Sequence, residues 1–210
     1  MRVPASLLTG PITHVEASPL RNPIWTDGTR LPTEETVRVE LLQARITMDH
    51  LDAGRGAATS NRQFINNLGA RGSEGFEAGH IIANILGGPA GAGRNFNIIP
   101  QYYRTNMAQV IVENLIYNHV RRMGTVSRGH ATEVRVRLLY DGPQTGYPYA
   151  IVMNINDNQF VDENGRRGPA SYYIANHAGE AEILDIYRSG YDPGFERFQR
   201  DWVVEDEDGC

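Results

Sequence analysis

Between Glu77 and Asn114 the chain reads EAGHIIANILGGPAGAGRNFNIIPQYYRTNMAQVIVEN, and this run restricts the fold more than any other. An extended segment closes on Gly79-His80, a Gly/Pro/Ala stretch runs from Gly87 to Gly93, and Asn97-Ile98-Ile99-Pro100 forms a second short strand-like run. From Tyr103 to Met123 the residues follow a helical period. The expected unit is a two-stranded hairpin feeding a helix. Gly79 lets the backbone pass close to a neighbour just before the histidine.

On that helix Asn106 and Glu113 are seven positions apart, so they share nearly one face and lie about 10 Å apart along the axis. Asn114 sits about 80° round from Asn106 and is a weaker companion. Val110, Ile111, Leu115 and Tyr117 make a mostly apolar pattern expected to bury against a sheet. His119, about 140° from Asn106 on the helical wheel, is expected at the surface. Taken alone, His80 fits a buried structural histidine better than a catalytic one. Its order with Gly79, the Gly-rich loop, Asn97-Ile98-Ile99-Pro100-Gln101 and Asn106 reverses that weighting.

This run resembles the DNA/RNA non-specific endonucleases of the ββα-metal (His-Me finger) superfamily, including the branch found as bacterial toxin domains. The residues that carry the resemblance are Glu77, Gly79, His80, Ile81, Ile82, Gly87, Gly88, Asn97, Ile98, Ile99, Pro100, Gln101 and Asn106, within about 40 of the 210 residues. The resemblance implies His80 as general base and Asn106 as direct ligand of one divalent metal per site, Mg²⁺ or Mn²⁺. It implies Glu113 as the group that holds a metal water, and Asn97 as a residue positioning the loop or the phosphate. Two positions depart from the family pattern. Ala78 stands where the family often has Arg, and the usual Glu falls eight residues after the metal Asn, where this chain has Asn114.

The residue types agree with that chemistry. A neutral imidazole titrates near physiological pH and can take a proton from an attacking water, typically worth about 10²- to 10⁴-fold in rate. An amide oxygen is a hard, uncharged ligand suited to Mg²⁺. A site that grips phosphate reads little base sequence, so the implied substrate is DNA, RNA or both. All 20 basic residues are Arg, the side chain suited to bidentate phosphate recognition. Arg94 and Arg104 flank the candidate site and are the expected substitutes for the missing Arg at position 78. Arg121 and Arg122 end the helix as candidate substrate contacts, although Arg there also complements the helix dipole.

The formal net charge is −5, but five acids crowd the segment from Asp201 to Cys210, so the rest of the chain is neutral and a basic cleft is compatible with it. Affinity for nucleic acid is then expected to be modest and salt-dependent. The single cysteine, Cys210, excludes an intramolecular disulfide and a Cys-based zinc site. No run of 18 apolar residues suggests a membrane span, and the N-terminal segment is too broken by Pro and polar residues for a signal peptide.

The expected fold class is α+β: a twisted, mainly antiparallel sheet with the hairpin and helix packed on one side. Five of the 11 prolines fall in the first 32 residues, which suggests an extended arm over 1–33. A single nuclease-like domain over 34–200, with its ββα core at about 75–123, and an acidic tail over 201–210 complete the division. Val37 to Met48 alternates or is weakly helical, with a strand favoured, and strands are expected from Glu133 to Tyr140 and Tyr147 to Ile155, with short ones at Gln159 to Val161 and Ser171 to Ile174. Asp52 to Ser60 reads as a loop and Ala178 to Ser189 as a helix. The remaining histidines, His14, His50, His119, His130 and His177, show no helical His-x-x-x-His spacing. The leading reading is a metal-dependent endonuclease, a toxin or effector whose partner would be an inhibitor (immunity) protein. The alternative is a nuclease-like module that binds without turnover.

Overall fold

The computed structural model describes residues 2–20, 36–54, 65, 76–89, 95–178 and 183–185. Arg94, the tail over 201–210 and most of the Asp52 to Ser60 loop lie outside them.

The alternation of apolar and polar residues in the middle of the chain builds the scaffold. In β5 (Ala131–Leu139) Val134, Val136 and Leu138 are buried on one face, while the intervening Glu133, Arg135 and Arg137 point to the other. β2 (Thr36–Thr47) and β6 (Ala150–Asn156) repeat the pattern through Leu42, Ala44 and Ile46 and through Ile151, Met153 and Ile155. These strands join β1 (Ile12–Leu20), β7 (Ala170–Ala175) and β8 (Ile183–Asp185) in a six-stranded antiparallel sheet of order β1-β2-β5-β6-β7-β8. Between β2 and β5 the chain makes a separate two-stranded hairpin, β3 (Phe76–His80) and β4 (Ile98–Tyr102), and then the helix α1 (Tyr103–Val126). The protein is thus α+β, mainly antiparallel, with the expected hairpin and helix.

Helix and hairpin cover the apolar face of the large sheet. Ala108, Val112, Ile116 and Val120 of α1, with Ile81, Ile82, Leu86 and Ile99 of the hairpin region, share one core with the inward residues of β2, β5, β6 and β7. Two polar side chains fasten the hairpin end of α1 to that sheet. Thr105 donates its hydroxyl to the Ala175 carbonyl at 3.0 Å, and Asn176 accepts from Tyr102 N–H while donating to the carbonyls of Pro100 and Pro148.

Several expectations are corrected. Residues 12–20, within the expected N-terminal arm, are a strand paired with β2 from Ile12↔Ala44 to Leu20↔Thr36. Its proline is tolerated because β1 is an edge strand. Ile183–Asp185 forms β8 against β7 inside the segment expected as a helix. Around Val161 there is only an isolated bridge to Arg167 in place of a short strand. The buried side of α1 is also not the expected one: Ile111 is 56% exposed and Val110, Leu115 and Tyr117 are half-buried. The inward side carries Thr105, Gln109, Glu113 and His119 among its apolar residues, because each meets a polar partner there: the Ala175 carbonyl of β7 for Thr105, Gln101 and the His80 carbonyl for Gln109, Gln109 for Glu113, and Asp157 for His119. No helix among the described residues is long and apolar enough to cross a membrane.

Candidate active site

The site is built where the end of β3 meets the first turns of α1. Antiparallel pairing sets Glu77 opposite Gln101, Gly79 opposite Ile99 and His80 opposite Ile98. Gly79 is required by a close approach: a Cβ there would come within 2.8 Å of the Gln101 Cβ. Through that notch the Gln101 amide crosses β3 and donates to Gln109 Oε1 at 2.8 Å. Gln109 Nε2 in turn donates to the His80 carbonyl at 2.8 Å and to Glu113 Oε1 at 2.7 Å. This buried chain of side chains fixes the backbone of His80 to the helix, where low dielectric strengthens each bond.

His80 is half-buried, and its Nε2 is shut from solvent with no hydrogen-bond partner. Burial pushes the ring pKa below the ordinary histidine value, so the imidazole is neutral near pH 7. Asn106, on the first turn of α1, donates its amide N–H to Glu77 Oε2 at 3.4 Å. A carboxylate only accepts, so the NH₂ faces Glu77 and the Asn106 carbonyl oxygen is left directed elsewhere. Exposed Glu77 and half-buried Asn106 thus meet beside the strand that ends in His80, with the Asn106 carbonyl as the oxygen turned away from that contact. Hard oxygen donors of this kind fit a hydrated divalent cation such as Mg²⁺ or Mn²⁺.

The other expected site residues divide by position. Glu113 is only 4% exposed and belongs to the buried chain, not to a water-facing surface beside Asn106. Burial pushes its carboxyl up to about 7 against the opposing hydrogen bond from Gln109. Asn114, at the family's usual position for the acid, is exposed. Asn97 is buried and its amide is engaged with backbone alone: it accepts from Ile82 N–H and donates to the carbonyls of Ile82 and Pro89, all within 2.9 Å. Its side chain positions the loop and has no donor to offer a phosphate. Arg104 is exposed on the first turn of α1 near Asn106. Arg121 and Arg122 lie about 22 to 24 Å along the axis from Asn106, at 1.5 Å per residue. Arg122 there contacts His119 and the Gln159 carbonyl.

A second cluster went unread in the sequence. His119, expected at the surface, is 2% exposed. Its Nε2 meets Asp157 Oδ2 at 2.8 Å, and His130 Nε2 meets the same oxygen at 2.7 Å. The three residues come from α1, the residue just before β5 and the residue just after β6, so no local spacing could signal them. For Glu77 and Gln109 the only sequence signals were their places in the Glu-x-Gly-His motif and one turn before Glu113.

No protein-family profile matches the chain. No curated protein matches it either. Among solved structures it is similar to NucA from Streptococcus agalactiae with no metal bound, at 14% identity and a TM-score of 0.41, covering 84% of this chain and 82% of that one. The same protein with magnesium ion bound gives 13% identity and a TM-score of 0.40 over the same shares. Sda1 nuclease with bound zinc ion gives 13% identity and a TM-score of 0.39, covering 78% of this chain and 84% of that one.

Proposed function

We propose that the protein is a metal-dependent endonuclease that hydrolyses phosphodiester bonds of DNA or RNA with little sequence preference. The observation that carries this reading is the neutral, half-buried His80 ring whose Nε2 has no hydrogen-bond partner, at the end of the strand whose Glu77 meets Asn106 of α1. A buried polar atom without a partner is uncommon and calls for a functional reason. The Glu-x-Gly-His, Asn-Ile-Ile-Pro-Gln and Asn order in the sequence supports the same chemistry.

In this reading the Asn106 carbonyl, with Glu77 orienting the amide from behind, would hold one Mg²⁺ or Mn²⁺. A cation bound there would supply charge neutralisation at the scissile phosphate and the leaving oxygen. His80 does the proton work: its neutral ring keeps a nitrogen lone pair for the proton of the attacking water, and its lowered pKa keeps that lone pair available at pH 7. Gln109 and Gln101 are positioning residues. They lock the His80 carbonyl so that the ring keeps its place relative to Asn106. Glu113 anchors the far end of that chain. Arg104 and Arg94 are the cations proposed to meet the phosphate in place of the absent Arg at position 78. A toxin role, with an inhibitor protein as partner, belongs to this reading as its biological setting.

The test is digestion of supercoiled plasmid and of total RNA by the purified chain with Mg²⁺ and with EDTA, alongside His80→Ala and Asn106→Ala. Metal-dependent cleavage lost by about 10²-fold or more in His80→Ala is expected for loss of a general base. Intact substrate throughout, with folded protein, would favour the alternative of a nuclease-like binding module, for which Ala78 and the displaced acid at 113 are the motivating departures.

A further inference from the structure

We infer that His119, His130 and Asp157 form a second metal site, for a first-row divalent transition ion of the Zn²⁺ class, separate from the site at Asn106. Their ligand atoms all lie within 4.8 Å of one another. Two imidazole nitrogens and one carboxylate oxygen suit Zn²⁺, Co²⁺ or Ni²⁺, where Mg²⁺ and Ca²⁺ prefer oxygen alone. The cluster lies about 20 Å along α1 from Asn106. The two sites therefore load independently.

The geometry is close to what such an ion needs. Each Nε2 stands 2.7 to 2.8 Å from Asp157 Oδ2, and tetrahedral ligands about 2.0 Å from Zn²⁺ stand roughly 3.3 Å apart. Opening each pair by about 0.5 Å makes room for the ion. The carboxylate is already oriented for one-oxygen coordination. Asp157 Oδ1 accepts the Gln159 N–H at 2.8 Å, and Thr132 Oγ1 donates to Oδ2 at 3.2 Å. Outer hydrogen bonds of this kind fix metal-ligating carboxylates. Phe160 packs edge-on against the His119 ring with centroids 5.3 Å apart, which closes the site on one side. The His130 side chain is 17% exposed and opens the other to solvent and to a fourth ligand.

One group opposes the ion and makes the inference specific. Arg122 Nη2 lies 3.2 Å from His119 Nδ1, and a guanidinium only donates, so in that arrangement Nδ1 accepts and the ring proton sits on Nε2. Coordination through Nε2 moves that proton to Nδ1, where it cannot face Arg122. The guanidinium must turn away. Metal and Arg122 thus compete for the His119 ring, and the bound ion would tie α1 to the adjacent ends of β5 and β6.

The test uses the full chain carrying His80→Ala and Asn106→Ala, so that the candidate catalytic donors are absent, with Zn²⁺ alone as probe in calorimetric titration and in thermal melts. One ion per chain and a raised Tm are expected. Adding His130→Gln, at the exposed rim of the cluster, is expected to weaken binding by more than about 100-fold, beyond the 10- to 100-fold typical of an outer-shell partner. Asp157→Asn is expected to do the same, and His130→Gln decides the matter if that variant fails to fold. Arg122→Gln is expected to tighten binding by about tenfold, the equivalent of one ordinary hydrogen bond. No uptake by the parent chain, or uptake indifferent to His130→Gln, would overturn the site. Nuclease activity of the unmutated chain with Mg²⁺ is a separate measurement and stands or falls by itself.

Discussion

Glu113→Gln probes the buried chain behind His80 through its pH dependence. The Glu113 carboxyl is raised from 4.5 to about 7 in the folded protein, chiefly by burial. The folded state therefore holds this proton more tightly than the unfolded chain, and the resulting stability is present in full below pH 4.5 and lost as pH rises through 7. For one site with those two values, the loss between pH 5 and pH 8 amounts to about 2.5 kcal/mol. Gln has the same shape, offers an oxygen to the Gln109 N–H and does not titrate. Urea denaturation of both proteins at pH 5 and pH 8 isolates the effect, because every other titrating group is common to the pair. The wild-type protein is expected to lose about 2.5 kcal/mol more than the variant over that interval. Parallel pH profiles would mean that Glu113 ionises freely, and the buried chain described above would be wrong.

Gly79→Ala is expected to destabilise the fold by about 1 to 3 kcal/mol through overpacking against Gln101, and to reduce nuclease turnover more than substrate affinity, read as kcat against KM. Asn97→Ala leaves the backbone groups of Ile82 and Pro89 without their partner; a loss of roughly 3 kcal/mol by chemical denaturation is expected, where a phosphate contact would have shown as a raised KM in a stable protein. Ile111→Gln on the exposed side of α1 is expected to change stability by less than about 0.5 kcal/mol, whereas Val112→Ala on its buried side costs about 1 to 3 kcal/mol; equal effects would put the helix in the wrong rotation. Arg121→Ala, at the far end of α1, is expected to leave plasmid cleavage unchanged, and a tenfold loss would place substrate along the whole helix.

What the sequence revealed follows the strength of its local patterns. β5 and β6 were legible because each buries one face, which enforces period two, and the hairpin and helix were legible from glycine, proline and the helical repeat. β1 was masked by Pro19 within it and by the prolines around it, which an edge strand accepts. β8 was masked by helical composition that pairing with β7 overrode. The rotation of α1 misled for a chemical reason: Thr105, Gln109, Glu113 and His119 look like surface residues until the Ala175 and His80 carbonyls, Gln101 and Asp157 that they and their chain of bonds meet are known. His80, Asn106 and Glu77 stood within one motif. The His119, His130 and Asp157 cluster draws on residues far apart in the chain, and only the pairing of β5 with β6 and the docking of α1 bring them together.

The direct pairing of β2 with β5, with Thr47 beside Ala131, has a kinetic consequence. Everything over residues 48–130, the hairpin and α1 included, is a detour between two adjacent strands. Closing a detour of that length costs only a few kcal/mol of chain entropy, yet long-range pairing of this kind slows folding. Tying its two ends with a cross-link between β2 and β5 would remove that entropy from the unfolded chain, speeding folding and adding stability of the same few kcal/mol, while shortening the detour would remove the proposed chemistry and leave an uninterrupted meander of strands.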